Sequence, residues 1–339
     1  MRDDPCIDFV IPWVDDADQD WLAEKAAYTE EDRSNDSRAF RFRDWGFLRY
    51  WFRAVEANAP WVRIVHFVTS GHIPDWLDTS SPKLHIVNHR DYIPEECLPT
   101  FSSRPIELNF HRIEGLAEQF VFFNDDMFVG ATSTPETFFR KGFPVDLAAL
   151  NVFCYSQADP TQLCVVRDVG VVNKHFDMKS SIKAHRGKWI SPRAGRYLPR
   201  TLALLSCPRF PGFVIHHCAQ PFLKSTYEQV WDAEPELLHS TCLNRFRDIS
   251  DVNCWLMKEW QLASGSFTPA AARDYRCFFI NTVEDAENAA KAIRERKTPH
   301  LCINDSPKLS DELFLEASSI VRRAFESVYG APSSFEKRG

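Results

Sequence analysis

Apolar and polar positions switch abruptly at one point in this chain. Phe120-Val-Phe-Phe123 runs directly into Asn124-Asp125-Asp126, and apolar residues resume at Met127. A strand buried on both faces reads as a continuous apolar run, but two carboxylates cannot sit unpaired in its middle. The pattern predicts a core strand whose end carries Asn124, Asp125 and Asp126 to the rim of an α/β sheet, where ligands bind. Carboxylates at such a rim suit a divalent cation, and the cation suits a phosphate.

The same reading places the other elements. Ile7–Val14 is a buried strand ending in Asp15, Asp16 and Asp18, with Asp18 or Asp20 capping a short helix from Trp21. Residues 30–43 are polar and read as a loop. Asp44–Ala57 carries apolar residues at helical spacing. Strands follow at Arg63–Thr69 and Leu84–Val87. The proline-bearing segment 88–105 reads as an ordered loop over a cleft, and Ile106–Gln119 as a helix. After Pro144 the pattern loosens: Leu163–Val172 looks β-like, and His185–Arg200 is basic and helix-poor. Helices are expected again at Pro221–Glu234, Asp251–Ala263 and, polar and exposed, at 284–299. An amphipathic helix with Ser310 at its N-cap runs to Val328, and residues 332–339 read as frayed. Strand-helix alternation to residue 130 gives an α/β class. The expected architecture is a Rossmann-like or glycosyltransferase-A-like, mostly parallel sheet flanked by helices, with an inserted subdomain.

Composition narrows the class. A chain of 339 residues suits one large α/β domain with insertions, or two domains. Its net charge of -7 argues against a nucleic-acid partner. The ten cysteines are scattered with no Cys-x-x-Cys, which predicts reduced thiols rather than a disulfide framework or zinc ribbon. No apolar leader core follows Met1 and no run approaches a membrane span. The expectation is a cytoplasmic protein; a peripheral contact at the inner face of the membrane stays open.

Several constellations could carry chemistry. Asp15, Asp16 and Asp18 would meet Asn124–Asp126 on one rim if their strands are parallel neighbours; turn capping is the alternative. Arg41, Arg43, Arg49, Arg53, Arg63, Arg104 and Arg112 offer guanidinium forks that match phosphate oxygens. Plain solvation is the competing account of each, and Arg43, beside the cleft loop, is the preferred exception. Glu107 and His111, four apart and followed by Arg112, would share a helix face behind the acidic strand or form an ordinary surface pair. His217 ends an apolar run and suits a general base; a structural histidine is the other reading. Arg247 follows the next helix. Cys302-Ile303-Asn304-Asp305 repeats the apolar-to-polar switch, with helix capping as its plain alternative. A Gly-rich phosphate loop, Gly-x-Ser-x-Gly and a zinc signature are absent.

In order, these pieces resemble the Stealth family of sugar-1-phosphate transferases, which includes capsule and cell-wall polysaccharide phosphotransferases and the lysosomal-enzyme N-acetylglucosamine-1-phosphotransferase. The first block resembles Ile7-Asp8 through Asp18. A long second block is similar to Arg41-Phe-Arg43-Asp44 through Tyr50, Ala59–Val62, Val68–Gly71, Leu98–Phe101, Ile106-Glu107, His111–Leu116 and Phe123–Asp126. Shorter third and fourth blocks look like His217–Pro221 with Phe246-Arg247, and Cys302–Asp305. The chain departs from the pattern at Pro12, Phe47 and Ser102.

The resemblance implies a reaction. A nucleotide-activated sugar, a UDP-hexose or UDP-N-acetylhexosamine, is attacked at its sugar-linked phosphate by a hydroxyl of a glycan or saccharide acceptor. UMP leaves and a phosphodiester forms. The implied cofactor is Mg²⁺ or Mn²⁺, held by Asp126, Asp125 and Asp305. Implied donor contacts are Arg43, Arg49, Asp15, Asp18, Asn124 and Asn304. His217, Asp125 and Arg247 are the expected catalytic groups, with Glu107, His111 and Arg112 behind them. On this reading residues 1–144 are the donor- and metal-binding half, 145–205 an insertion serving the acceptor, and 206–331 the helix-rich completion. Contact with polysaccharide-synthesis machinery stays open.

Overall fold

The computed structural model describes residues 6–15, 17–29, 45–153, 160–306 and 309–338. Arg41, Arg43 and Asp16 lie outside the described residues, as does the loop expected at 30–43.

The N-terminal half is α/β with a mostly parallel sheet. Strand β1 is Ile7–Pro12, β2 Val65–Thr69, β3 Leu84–Asn88 and β4 Gln119–Phe122. Their order is β3-β2-β1-β4, all parallel, an arrangement consistent with a Rossmann-like fold. Gln220–Leu223 adds antiparallel to β4 and closes that edge. Period-2 alternation sorts the apolar side chains to two covered faces. Phe9, Ile11, Val121 and Phe123 enter one core, and Val10, Val68, Phe120 and Phe122 enter the other. The first core is dense in aromatic contacts, with Phe9 4.7 Å from Phe123 and edge-on to Trp61 and Phe138.

Strand β5, Met127–Val129, follows β4 almost at once but leaves the first sheet. It pairs antiparallel with His300–Asn304, which pairs parallel with Tyr275–Phe279. The helices Val283–Glu295 and Asp311–Tyr329 flank this second sheet. Ala286, Ala289, Ala290 and Ile293 of the first are buried, as are Ala317, Val321 and Phe325 of the second. Ser310 caps the second helix by accepting from the Leu313 amide at 3.3 Å. Among the described residues no helix is long and apolar enough to cross a membrane.

Several expectations change. Helix α1, Gln19–Thr29, is capped by Asp18, and α2 starts at Leu48 rather than 44. The helix expected at 106–119 is only α3, Ser103–Leu108; the chain then makes a tight 3₁₀ turn and bends at Gly115 with φ +72°. Leu163–Val172 is not β-like but lies in the helix Pro160–His175. Its buried positions, 164, 165, 168, 169, 171 and 172, follow helical spacing, which outweighs the β preference of valine. The 178–204 stretch is likewise built of short helices. The helix expected at Pro221–Glu234 is present as Lys224–Ala233, while Pro221 itself sits in the edge strand Gln220–Leu223, where a missing N–H is tolerated. The 283–295 helix buries its alanine face rather than standing exposed.

The expected frayed tail is packed down. Phe335 is buried, its carbonyl accepts from the Asp78 amide, and Glu336 takes both forks of Arg53 at 2.6 and 2.7 Å. Burial opposes the charge on Glu336, but Arg53 and the Ser333 amide hold its carboxyl below the ordinary range. That stabilisation is present above the unfolded pKa of about 4.3 and is lost as pH falls through the folded value. Glu336→Gln should lower stability at pH 7 by about 2 kcal/mol, read from the denaturant midpoint. The difference should shrink on acidification below pH 4.

Candidate active site

A cleft of about 500 Å³ opens at the carboxyl ends of β1 and β4. Strand order reverses there, because the chain runs outward from β1 through β2 to β3 and then crosses back to lay β4 on the other side of β1; such a point is where open α/β sheets bind ligands. Pro12, Trp13 and Val14 extend β1 into the lining, and Phe122, Asn124, Asp125 and Asp126 extend β4.

Asp126 is placed by backbone pairing. The Phe123 amide donates to Val10, the Met127 amide to Asn124, and the Ile303 amide to the Asp126 carbonyl, at 2.9, 3.0 and 2.9 Å. The last bond ties the end of His300–Asn304 to the acidic turn and brings Asn304 and Asp305 into the same wall. His217 arrives by register. Antiparallel pairing sets Phe122 opposite Gln220, where the ladder ends, and the turns that follow bring His217 within 3.1 Å of Asp126. Arg247 comes from a loop pinned by buried Asp251, which accepts from Arg104, Asn244 and the Asp248 amide. It donates to Ser103 at 3.1 Å.

The Asp126 carboxylate has two unlike oxygens. Oδ2 lies 3.1 Å from His217 Nε2 and 3.4 Å from Cys302 Sγ. Oδ1 is buried and, among the described residues, has no hydrogen-bond partner. An unpartnered anionic oxygen, with Asp125, Asn304 and Asp305 lining the same wall, fits a hard divalent cation that takes oxygen ligands.

Adjacent histidines are driven apart in charge. Burial pulls His217 down, but the charge and hydrogen bond of Asp126 outweigh it and raise the imidazole to about 9. Burial pulls His216 down to about 4, helped by Lys258, and its ring stacks on Tyr275. The site thus sets Asp126 against a His217 ring whose hold on its proton is strengthened.

The structure therefore gathers Glu107, Asn124, Asp125, Asp126, His217, Arg247, Asn304 and Asp305 around one cleft. It does not bring in every candidate. Asp15 accepts from the Ala17 amide and Asp18 caps α1. Arg49 lies over Trp76 and beside Glu336, on the face where the C-terminal tail packs. Arg53 holds Glu336 and Arg63 holds buried Asp8; Arg104 does line the cleft, but its guanidinium is committed to buried Asp251. His111 shares no helix face with Glu107 and lodges between Tyr227 and Trp231, with Arg112 over the same Trp231. Sequence reasoning passed over the aromatic walls, Trp13, Trp21, Phe101, Trp255 and Phe279. Trp13, at the end of an apolar strand, and Phe101, inside the second block, carried a signal.

Comparison with known proteins adds a family. The description "Stealth protein CR2, conserved region 2" matches residues 41–145, and "Stealth protein CR1, conserved region 1" matches residues 5–33. The chain is 38% identical over 335 residues to a capsular polysaccharide phosphotransferase, WcwK, of Streptococcus pneumoniae, covering 98% of this chain and 99% of that one. It is 35% identical to the exopolysaccharide phosphotransferase cps2G of Lactiplantibacillus plantarum (98% and 96% covered). With the receptor polysaccharide phosphotransferase WefC of Streptococcus oralis it shares 37% identity (97% and 99%).

The histidine electrostatics can be checked directly. In Asp126→Asn the raising partner is gone and burial remains, so the His217 pKa should fall from about 9 to below 6.5. Side-chain NMR titration reads this. In the wild type, the ion pair's stabilisation is full below about 6.5 and is lost as pH rises through about 9; the variant should lack that alkaline loss.

Proposed function

The chain belongs to the Stealth family and is a phosphotransferase of polysaccharide biosynthesis; from that premise we propose that it transfers a sugar-1-phosphate from a nucleotide-sugar to a glycan hydroxyl and releases UMP. The donor class is a UDP-hexose or UDP-N-acetylhexosamine, and the scaffold is glycosyltransferase-A-like. The observation that carries this reading is the convergence of Asp126, His217, Arg247 and Asp305 on one aromatic-walled cleft at the strand-order reversal.

The chemistry needs positioning and charge neutralisation more than covalent help. The acceptor oxygen attacks the phosphorus joined to the sugar, the P–O bond to UMP breaks, and the sugar keeps its anomeric C–O bond. Arg247, at the cleft wall, is the guanidinium that binds phosphate oxygens as charge develops. Asp126 Oδ1, with Asp125 and Asp305, would hold Mg²⁺ or Mn²⁺, whose positive charge offsets that of the diphosphate. His217 receives the hydroxyl proton. Asp126 raises the proton affinity of this imidazole, so the base role requires that the carboxylate's charge be offset when donor binds. Asp125 is the alternative base. Asn124 and Asn304 frame the donor, and Glu107 supports the wall from α3. On this reading the enzyme is cytoplasmic, with a peripheral contact at the inner face of the membrane left open.

A panel of UDP-sugars and saccharide acceptors, with Mg²⁺ or Mn²⁺, tests the reaction. UMP release and a phosphodiester resonance in the product are expected; UDP release would show glycosyl transfer instead. Asp126→Asn and Arg247→Ala should each lower kcat/KM at least about 100-fold with unchanged circular dichroism. Full activity of Asp126→Asn would remove the cation argument.

A further inference from the structure

Beside the oxygen-rich wall lies a second, softer ligand set. Asp126 Oδ2, His217 Nε2 and Cys302 Sγ lie within 4.8 Å of one another. Metal–ligand distances are about 2.0 Å to nitrogen or oxygen and about 2.3 Å to sulfur, so a tetrahedral ion would separate its N and O ligands by about 3.3 Å and its O and S ligands by about 3.5 Å. The observed separations are 3.1 Å for O to N and 3.4 Å for O to S. Two of the three separations thus match tetrahedral spacing and the third is within 4.8 Å, and Asp126 and His217 face the cleft, which leaves a fourth position for water or a phosphate oxygen.

Their chemistry discriminates between ions. Mg²⁺ demands octahedral oxygen ligands, whereas one carboxylate, one imidazole and one thiolate suit Zn²⁺. Backbone pairing holds the three apart from any induced fit. Cys302 is anchored in His300–Asn304, opposite Cys277 in register, and His217 sits on the turn entering the edge strand.

We infer that Asp126, His217 and Cys302 form a Zn²⁺ site that shuts the enzyme down by occupying the groups its reaction needs. On binding, a Zn–S bond replaces the Cys302 S–H and the proton leaves to solvent. A Zn–N bond likewise replaces the His217 Nε2–H, whose proton also leaves to solvent, and the same ion takes one Asp126 oxygen. The inhibitory part rests on the proposed phosphotransfer; the binding part does not.

Zinc K-edge absorption on the full-length protein at one equivalent of Zn²⁺ tests the site without turnover. One sulfur near 2.3 Å together with nitrogen and oxygen near 2.0 Å is expected. A shell of nitrogen and oxygen alone would overturn the assignment, as would a sulfur that persists in Cys302→Ser. Cys277→Ser should keep the sulfur shell, which separates the two register neighbours. In a UMP-release assay with Mg²⁺, one equivalent of Zn²⁺ should lower the rate at least tenfold, reversibly on chelation and Mg²⁺ repletion. An active enzyme insensitive to bound zinc would overturn the inhibition while leaving the phosphotransfer reading intact.

Discussion

The whole site depends on one backbone joint. At Asn124–Met127 the chain leaves the end of a parallel strand, turns, and enters a second sheet within three residues. The Asp126 carbonyl accepts from Ile303 at that joint, so the two sheets share the residue that carries the central carboxylate. A backbone amide needs a partner when it is buried, and here the bonds made by the Phe123, Met127 and Ile303 amides also hold Asp126 at the cleft. Asn304 and Asp305 follow as a consequence, because they are the next residues after the bond.

Charge is then sorted by burial around that carboxylate. Behind the wall, Lys258 is held between Asp146 and Gln220 at 2.8 and 2.9 Å. This buried cation and their own burial keep His216 and His300 neutral, at about 4 and about 3. His217, one residue away, is the histidine that meets Asp126 and is raised. Neighbouring groups with opposed proton affinities are the pattern of an acid-base site, and here the division follows from which side of the turn each ring occupies.

The strand that ends at the acidic cluster was legible because its signal is local: four apolar residues followed by two carboxylates admit few placements. Ile7–Pro12, Val65–Thr69 and Leu84–Asn88 were legible for the same reason. His217 and Arg247 were found as motifs, but their approach to Asp126 depends on the pairing of Gln220 with Phe122 and on a loop held by Asp251, which no local pattern encodes. Glu107 and His111 misled because four-residue spacing implies a shared face only if the helix continues, and Gly115 with the preceding 3₁₀ turn ends it. Three of the arginines have structural roles, the account favoured for any one of them. Arg53, Arg63 and Arg104 have carboxylate partners far away in sequence, and a guanidinium fork suits Glu336, Asp8 or Asp251 as well as it suits phosphate.

Aromatic side chains complete the logic of the cleft. Trp13, Trp21, Phe101, Trp255 and Phe279 line it along with the charged groups. Trp21 and Phe101 pack edge to face at 5.8 Å, and Phe101 stacks on Phe246, the residue before Arg247. The guanidinium is therefore carried on a ring cluster rather than on a loose loop. Such walls lower the local dielectric, so each charge acts more strongly on a developing phosphate charge than it would in water. A cleft built this way needs few charged residues, provided that packing and backbone pairing hold them where they are; Asp126, reached by a shared strand end, and Arg247, braced by stacked rings, meet that condition from opposite sides.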